Sequence, residues 1–246
     1  MKGGIRKILW SFIVLGGLGI AAVAFGVFYI IKTLPPPELI ADRRVAESTK
    51  IYARAGTVLL YEIHGEERRT VVPFEDIPEV VKQTTIAVED ANFYTHPAFD
   101  WRSIVRALLT NIFRGRVVQG GSTITQQLAK NAFLTPERTL TRKIKELALS
   151  FELEKKFTKD KILELYLNQI PYGSNAYGIE AASQVFFEKS AKDLTLAEAV
   201  LLASLPKAPT YYSPWGQNAE ALMARRDYIL EKMYGSSFIS KEERDQ

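Results

Sequence analysis

The sequence predicts a mostly α-helical protein, with one helix long enough to cross a bilayer, a short β element behind it, and then a helical domain. Three observations carry that prediction. Ile8 to Ile31 is a run of 24 residues without a charge. Residues 45–74 alternate loosely and contain β-branched runs. From Ile77 onward, apolar residues recur at helical spacing almost to the end of the chain.

The apolar run comes first. As a helix it would extend about 36 Å, enough for a hydrocarbon layer of about 30 Å with some tilt. It is too long for a cleaved signal peptide, and small-residue sites such as Ala21-Ala22-Val23-Ala24 lie inside it, so an uncleaved signal anchor is expected. Lys2, Arg6 and Lys7 precede the run with no acid among them. The positive-inside rule therefore predicts a cytoplasmic tail over 1–7, a transmembrane anchor over 8–31, and the bulk of the chain on the outer face of the cytoplasmic membrane. Pro35-Pro36-Pro37 reads as a stiff spacer in a linker over 32–49.

The β element rests on Lys50-Ile51-Tyr52, Thr57 to Tyr61 and Thr70-Val71-Val72, with turns at Gly56 and Gly65. Pro78 to Glu89 then carries Val81, Thr85 and Val88 on one side. Asp100 can cap a helix through Ile104, Leu108 and Ile112, stopped near Gly115. Ser122 is expected to cap a helix to about Phe133, and Thr139 or Thr141 one with Leu140, Ile144, Leu147 and Phe151 on a stripe. Further helices hold Ile162 to Ile170, follow the Thr195–Glu198 capping box as far as Pro206, and run from about Asn218 to Met233.

Composition excludes several chemistries. With 246 residues, 47% of them apolar, the chain can bury a real core. It has no cysteine, so disulfides, thiolate metal sites and cysteine nucleophiles are ruled out, and its two histidines, His64 and His96, cannot make a histidine-rich metal centre. A net charge of +4 does not suggest a nucleic-acid partner. The distribution is more telling. Beyond the anchor, residues 32–246 hold 29 bases and 28 acids, yet residues 101–145 hold nine bases and one acid, Glu137. Such a segment in a near-neutral domain implies an anionic partner such as phosphate or lipid headgroups. Trp101–Arg116, apolar with four arginines, has the composition of an interfacial helix.

Four polar segments interrupt the apolar pattern. Glu89-Asp90 ends a helix and is followed by Phe93 and His96; a carboxylate beside aromatic rings is partly desolvated and becomes a better base. Gly120 to Asn131 (GGSTITQQLAKN) places two glycines before a helix N-terminus, a ready anion site within reach of Lys130. Arg138, Arg142 and Glu146 are spaced four apart on one helical face, which either a surface ion-pair ladder or a ligand site would produce. Ile162 to Asn168 is mostly core, followed by small residues at Gly178, Ala181 and Ala182 that suit close packing.

Together and in this order, Glu89–His96, Gly120–Asn131, Arg142–Glu146 and Ile162–Asn168 resemble the four motifs of the family 51 peptidoglycan glycosyltransferases, the polymerase domain of class A penicillin-binding proteins. One position departs: Ala98 stands where the family usually has glycine, which puts the local turn in question. The resemblance covers residues 50–215 and implies a lysozyme-like helical glycosyltransferase domain with a small membrane-associated lobe. It implies polymerisation of lipid II into glycan strands, with inversion and release of undecaprenyl pyrophosphate. Glu89 would be the general base, Lys130 and Arg138 would neutralise the departing pyrophosphate, and Glu146 would position the acceptor or a divalent cation (Mg or Mn), with no organic cofactor. Asp90, Phe93, His96, Gly121, Ser122, Thr123, Thr125, Gln126, Gln127, Asn131, Arg142, Lys143, Glu164 and Asn168 would bind substrate. Partners would be lipid II, the lipid-linked strand, the membrane and other cell-wall synthesis proteins. The enzymatic alternative is a lysozyme-like muramidase or lytic transglycosylase, which needs one acid but no pyrophosphate-binding cations. Ser204-Leu205-Pro206-Lys207 fits a transpeptidase S-x-x-K by spacing alone; its companion motifs do not occur, so Ser204 is expected to be structural. Residues 216–246 resemble a helix and linker leading to a transpeptidase domain, so the chain is expected to be the N-terminal part of a longer protein.

Overall fold

The computed structural model describes residues 2–37, 39, 49–52, 59–63, 68–100, 106, 109–110, 113–114, 121–135, 137 and 139–245. Arg138, Gly120, the turns at Gly56 and Gly65 and most of the stretch from Trp101 to Arg116 lie outside the described residues. So does most of the expected linker beyond Pro37.

Helix α1 (Lys2–Lys32) covers the apolar run. Among the described residues, no helix is long and apolar enough to cross a membrane; much of α1 falls outside that description at the side-chain level. Strands β1 (Thr49–Tyr52) and β2 (Leu59–Ile63) form an antiparallel hairpin. A second small sheet has β3 (Arg68–Arg69) parallel to β5 (Ala176–Tyr177), which pairs antiparallel with β4 (Pro171–Gly173).

The rest is helical: α2 (Glu79–Glu89), α3 (Ile124–Phe133), α4 (Leu140–Lys156), α5 (Lys159–Gln169), α6 (Ile179–Phe187), α7 (Leu196–Ser204), α8 (Ala219–Gly235) and α9 (Lys241–Asp245). Helix α3 is the centre of the main core. Its Ile124, Leu128 and Ala129 are wholly buried against Leu149 and Leu153 of α4 and Ile162, Tyr166 and Leu167 of α5. A smaller cluster joins Ala87 of α2, Val200 and Ala203 of α7, and Ile229 and Met233 of α8. Helix α2 belongs to both clusters, so its last residue, Glu89, emerges at the seam between them.

The caps explain where helices begin. Thr123, not Ser122, caps α3, accepting from Gln126 N, because Ser122 is drawn away to Lys143. Thr139 caps α4 and Thr158 caps α5 in the same way. At the start of α7, Glu198 accepts from both the amide and the hydroxyl of Thr195. The small residues at 178–182 have a specific cause. Gly178 has φ +83°, and a Cβ there would lie 2.6 Å from Asn168 O. Only glycine suits both the backbone and the approach.

Candidate active site

The segment after α2 is fixed to the start of α3 before any chemistry is considered. Asp90 accepts from His96 Nε2 at 2.6 Å on one oxygen and from Ile124 N at 3.1 Å on the other. Ile124 N is an unpaired donor of the first turn of α3, so the carboxylate also complements the helix dipole. His96 Nδ1 lies 2.5 Å from Pro97 O. Both ring nitrogens thus face acceptors, an arrangement only the imidazolium satisfies. Burial alone would lower the pKa of His96, but the hydrogen bonds to Asp90 and Pro97 O and the Asp90 charge raise it above its ordinary value.

Other motif residues complete this fastening. Thr123 Oγ donates to Ala98 O at 2.9 Å. Ala98 is buried and is not among the described residues with positive φ, so the turn there does not require glycine. Phe93 is fully buried, with Lys159 Nζ 4.6 Å from its ring centre. Lys159 also donates to His96 O and to Glu154, which accepts from Thr125. Asp90, Phe93, His96, Thr123 and Thr125 are therefore engaged in holding the loop.

What they hold in place is Glu89. Its Oε2 accepts from Gln127 Nε2 at 2.7 Å, and its Oε1 lies 3.8 Å from a guanidinium nitrogen of Arg225, at ion-pair distance. Gln127 Oε1 in turn accepts from the hydroxyl of Tyr166 at 3.2 Å. The carboxylate opens on a cavity of about 820 Å³. Its walls include Glu89, Asp90, Asp100, Gly121, Ser122 and Gln127, together with the cations Arg106, Arg114, Lys207, Arg225 and Lys232 and the rings of Tyr211, Tyr212 and Tyr228. Burial, with help from Arg225, lowers the pKa of Lys207, and Glu89 opposes that.

A second polar cluster adjoins the same loop. Lys143 Nζ donates to Ser122 Oγ at 3.0 Å, Gln126 Oε1 at 3.2 Å and Glu146 Oε2 at 3.0 Å. Arg142 Nε is 3.0 Å from the other Glu146 oxygen, at ion-pair distance but not aligned as a hydrogen bond. Glu146 is buried. Half-buried Lys130 feels both Glu146 and Glu89. Burial, reinforced by Arg142 and Lys143, pulls its pKa below the usual lysine range, and the two carboxylates partly restore it. Lys130 thus links the clusters electrostatically.

The structure brings Glu89, Lys130, Glu146, Gly121, Ser122, Gln126, Gln127, Arg142 and Lys143 around this one region. It does not bring the fourth motif there. Asn168 is buried and exchanges hydrogen bonds with both Val72 N and Val72 O. Glu164 pairs with Lys161, and Asn131 is exposed on the last turn of α3. The motif contributes Tyr166 instead. Sequence reasoning missed Lys207, Arg225, Lys232 and the three tyrosines. The one available signal was a cluster of cations and tyrosines in residues 207–232, most of which fell in the expected helix and linker over 216–246.

Both oxygens of Glu146 face cations, and among the described residues no group of three or more acidic or histidine side chains is disposed to hold a metal, so a divalent ion at Glu146 would depend on phosphate oxygens for the rest of its ligands.

Comparisons with known proteins point to one family. The transglycosylase family model matches residues 56–234. Penicillin-binding protein 1A of Aquifex aeolicus is 46% identical over 239 residues, covering 95% of this chain and 32% of its own length. Its namesakes in Rickettsia prowazekii and Neisseria gonorrhoeae are 42% and 43% identical, each over 94% of this chain, covering 29% and 28% of their own lengths. The chain thus spans about a third of the curated relatives it matches. The crystal structure of penicillin-binding protein 1A from Haemophilus influenzae aligns with 82% of this chain and 20% of its own, at 26% identity and a TM-score of 0.45.

Proposed function

This chain belongs to the transglycosylase family, the family 51 glycosyltransferase domain of class A penicillin-binding proteins, and from that membership we propose that it polymerises lipid II into peptidoglycan glycan strands at a membrane. The observation that carries the reading is the carboxylate of Glu89, fixed by Gln127 at the mouth of a cation-walled cavity.

In this reading, Glu89 removes the proton from the acceptor 4-hydroxyl as that oxygen attacks the sugar carbon of the donor. A base must sit within hydrogen-bond reach of the proton it takes, and Glu89 lines the cavity in which an acceptor would lie. Attack opposite the leaving group inverts the sugar carbon. Undecaprenyl pyrophosphate leaves with growing negative charge, which fixed cations stabilise. Lys130 is the described cation nearest in role, with Arg138 assigned the same part from the motif. Glu146 holds Arg142 and Lys143 in place for the substrate. A bound divalent ion would add positive charge at the departing pyrophosphate. The cationic wall disfavours the muramidase reading, because a sugar alcohol leaving group needs a proton donor and no pyrophosphate site.

Helix α1 would anchor the protein, with the catalytic domain on the outer face of the cytoplasmic membrane. That placement rests on the uncharged run Ile8–Ile31 and the bases before it. Arg106 and Arg114, with exposed Leu109 and Phe113 beside them, suit a surface that receives a lipid-linked substrate. The test is polymerisation of purified lipid II by the membrane-anchored protein. Glycan strands are the expected product; cleavage of finished peptidoglycan without strand synthesis would refute the reading.

A further inference from the structure

We propose that Tyr166 is a positioning residue that aims the Glu89 carboxylate by fixing which way the Gln127 side-chain amide faces; this rests on the glycosyltransferase reading of the site. The geometry is a directed chain. Tyr166 O–H donates to Gln127 Oε1 at 3.2 Å, and Gln127 Nε2 donates to Glu89 Oε2 at 2.7 Å. A glutamine amide can be turned end for end with almost no change of shape, so its orientation is set by its partners. Turned around, it would place a carbonyl oxygen against the carboxylate and leave Tyr166 facing an NH₂ group.

A phenol can accept as well as donate, but its proton, buried here, still needs an acceptor, and the Glu89 carboxylate needs a donor. Tyr166 is fully buried in the last turn of α5, the helix that packs on α3. Burial, followed by the Glu89 charge, raises its pKa well above the usual tyrosine value, so it keeps its proton and remains a donor. The acceptor it needs is the carbonyl end of Gln127, and the NH₂ end is thereby committed to Glu89. Tyr166 would not touch substrate. Its position on α5 also explains why a motif whose asparagine serves the backbone of Val72 belongs with an active site.

The test uses the full chain in detergent micelles with lipid II, comparing Tyr166→Phe, Gln127→Ala and the double variant. Tyr172→Phe is the matched control, since it removes a buried hydroxyl that also feels the Glu89 charge but, among the described hydrogen bonds, makes none to Gln127. The phenylalanine change at 166 is expected to lower kcat about three- to tenfold, with KM nearly unchanged. Because Tyr166 acts through Gln127, the double variant should match Gln127→Ala rather than multiply the two losses. Wild-type kcat in Tyr166→Phe, or multiplying effects, would overturn the proposal. A readout independent of turnover is the Gln127 side-chain amide resonance. It should shift or broaden in Tyr166→Phe and not in Tyr172→Phe; an unchanged resonance refutes the relay even if lipid II proves not to be the substrate.

Discussion

Replacing Asp90 by asparagine should separate a structural carboxylate from the proposed base beside it. In the native protein Asp90 accepts two hydrogen bonds, from His96 Nε2 and Ile124 N, and its side chain is 7% exposed. Asparagine can still accept from Ile124 N and can donate to His96 Nε2 once the imidazole is neutral, so both contacts survive in weaker form. Charge-assisted hydrogen bonds contribute about 1 kcal/mol more than neutral ones, which makes the loss about 2 kcal/mol over two bonds. For a domain of this size that is a fall in Tm of roughly 4–8 °C. The loss should depend on pH. His96 has its folded pKa raised above the ordinary 6.5. Its pairing with Asp90 therefore contributes fully below pH 6.5 and fades as pH rises through the folded pKa. Thermal unfolding followed by circular dichroism should show the largest Tm deficit of Asp90→Asn near pH 5.5 and a smaller one near pH 8.5. An equal deficit at both pH values, or none, would refute the imidazolium–carboxylate pairing.

Three further outcomes follow from the same contacts. Glu146→Gln leaves Arg142, Lys143 and Lys130 without their shared anion; it should lower stability by about 2 kcal/mol in denaturant unfolding, less than a fully buried pair because Lys143 is partly solvated, and should also depress strand synthesis. Because burial lowers the pKa of Lys130, strand synthesis should decline with rising pH below the ordinary lysine range of about 10.4, and Lys130→Arg should extend the alkaline limb of the kcat profile if charge is what the site needs. Gly178→Ala should destabilise by about 3 kcal/mol or more, since it combines a strained φ with a Cβ 2.6 Å from Asn168 O; a Tm within 2 °C of wild type, about 1 kcal/mol or less, would show that the α5–α6 junction can yield.

Much of this site was legible in the sequence, for physical reasons that differ residue by residue. Glu89, Gln127, Lys130 and Glu146 were readable because the polar types cluster on helices whose other faces are apolar. The division of labour within a motif was not. Gln126 and Gln127 are neighbours in sequence, but the helical turn sends one to Lys143 and the other to Glu89. Asp90 and Asn168 look like ligands in a string of letters, yet each is spent on backbone groups that an isolated segment cannot reveal. Ser122 and Thr123 are equally good caps by type, and a lysine from α4 decides between them. Arg225 was illegible as a site residue because it comes from α8, 136 positions after the carboxylate it faces, and no local pattern encodes that approach. Strand boundaries were loosely placed because β3 pairs with β5, a partner more than 100 residues away.

The most direct test of the account is strand synthesis from lipid II by the wild-type protein and by Glu89→Gln. The glutamine keeps the shape of Glu89 and its place beside Gln127 but cannot accept the acceptor's proton. Wild type should produce glycan strands, and Glu89→Gln should lose about 10²- to 10⁴-fold in kcat while retaining its thermal stability. Normal polymerisation by a folded Glu89→Gln variant would contradict the assignment of Glu89 as the base and, with it, the reading of this cavity as the polymerising site.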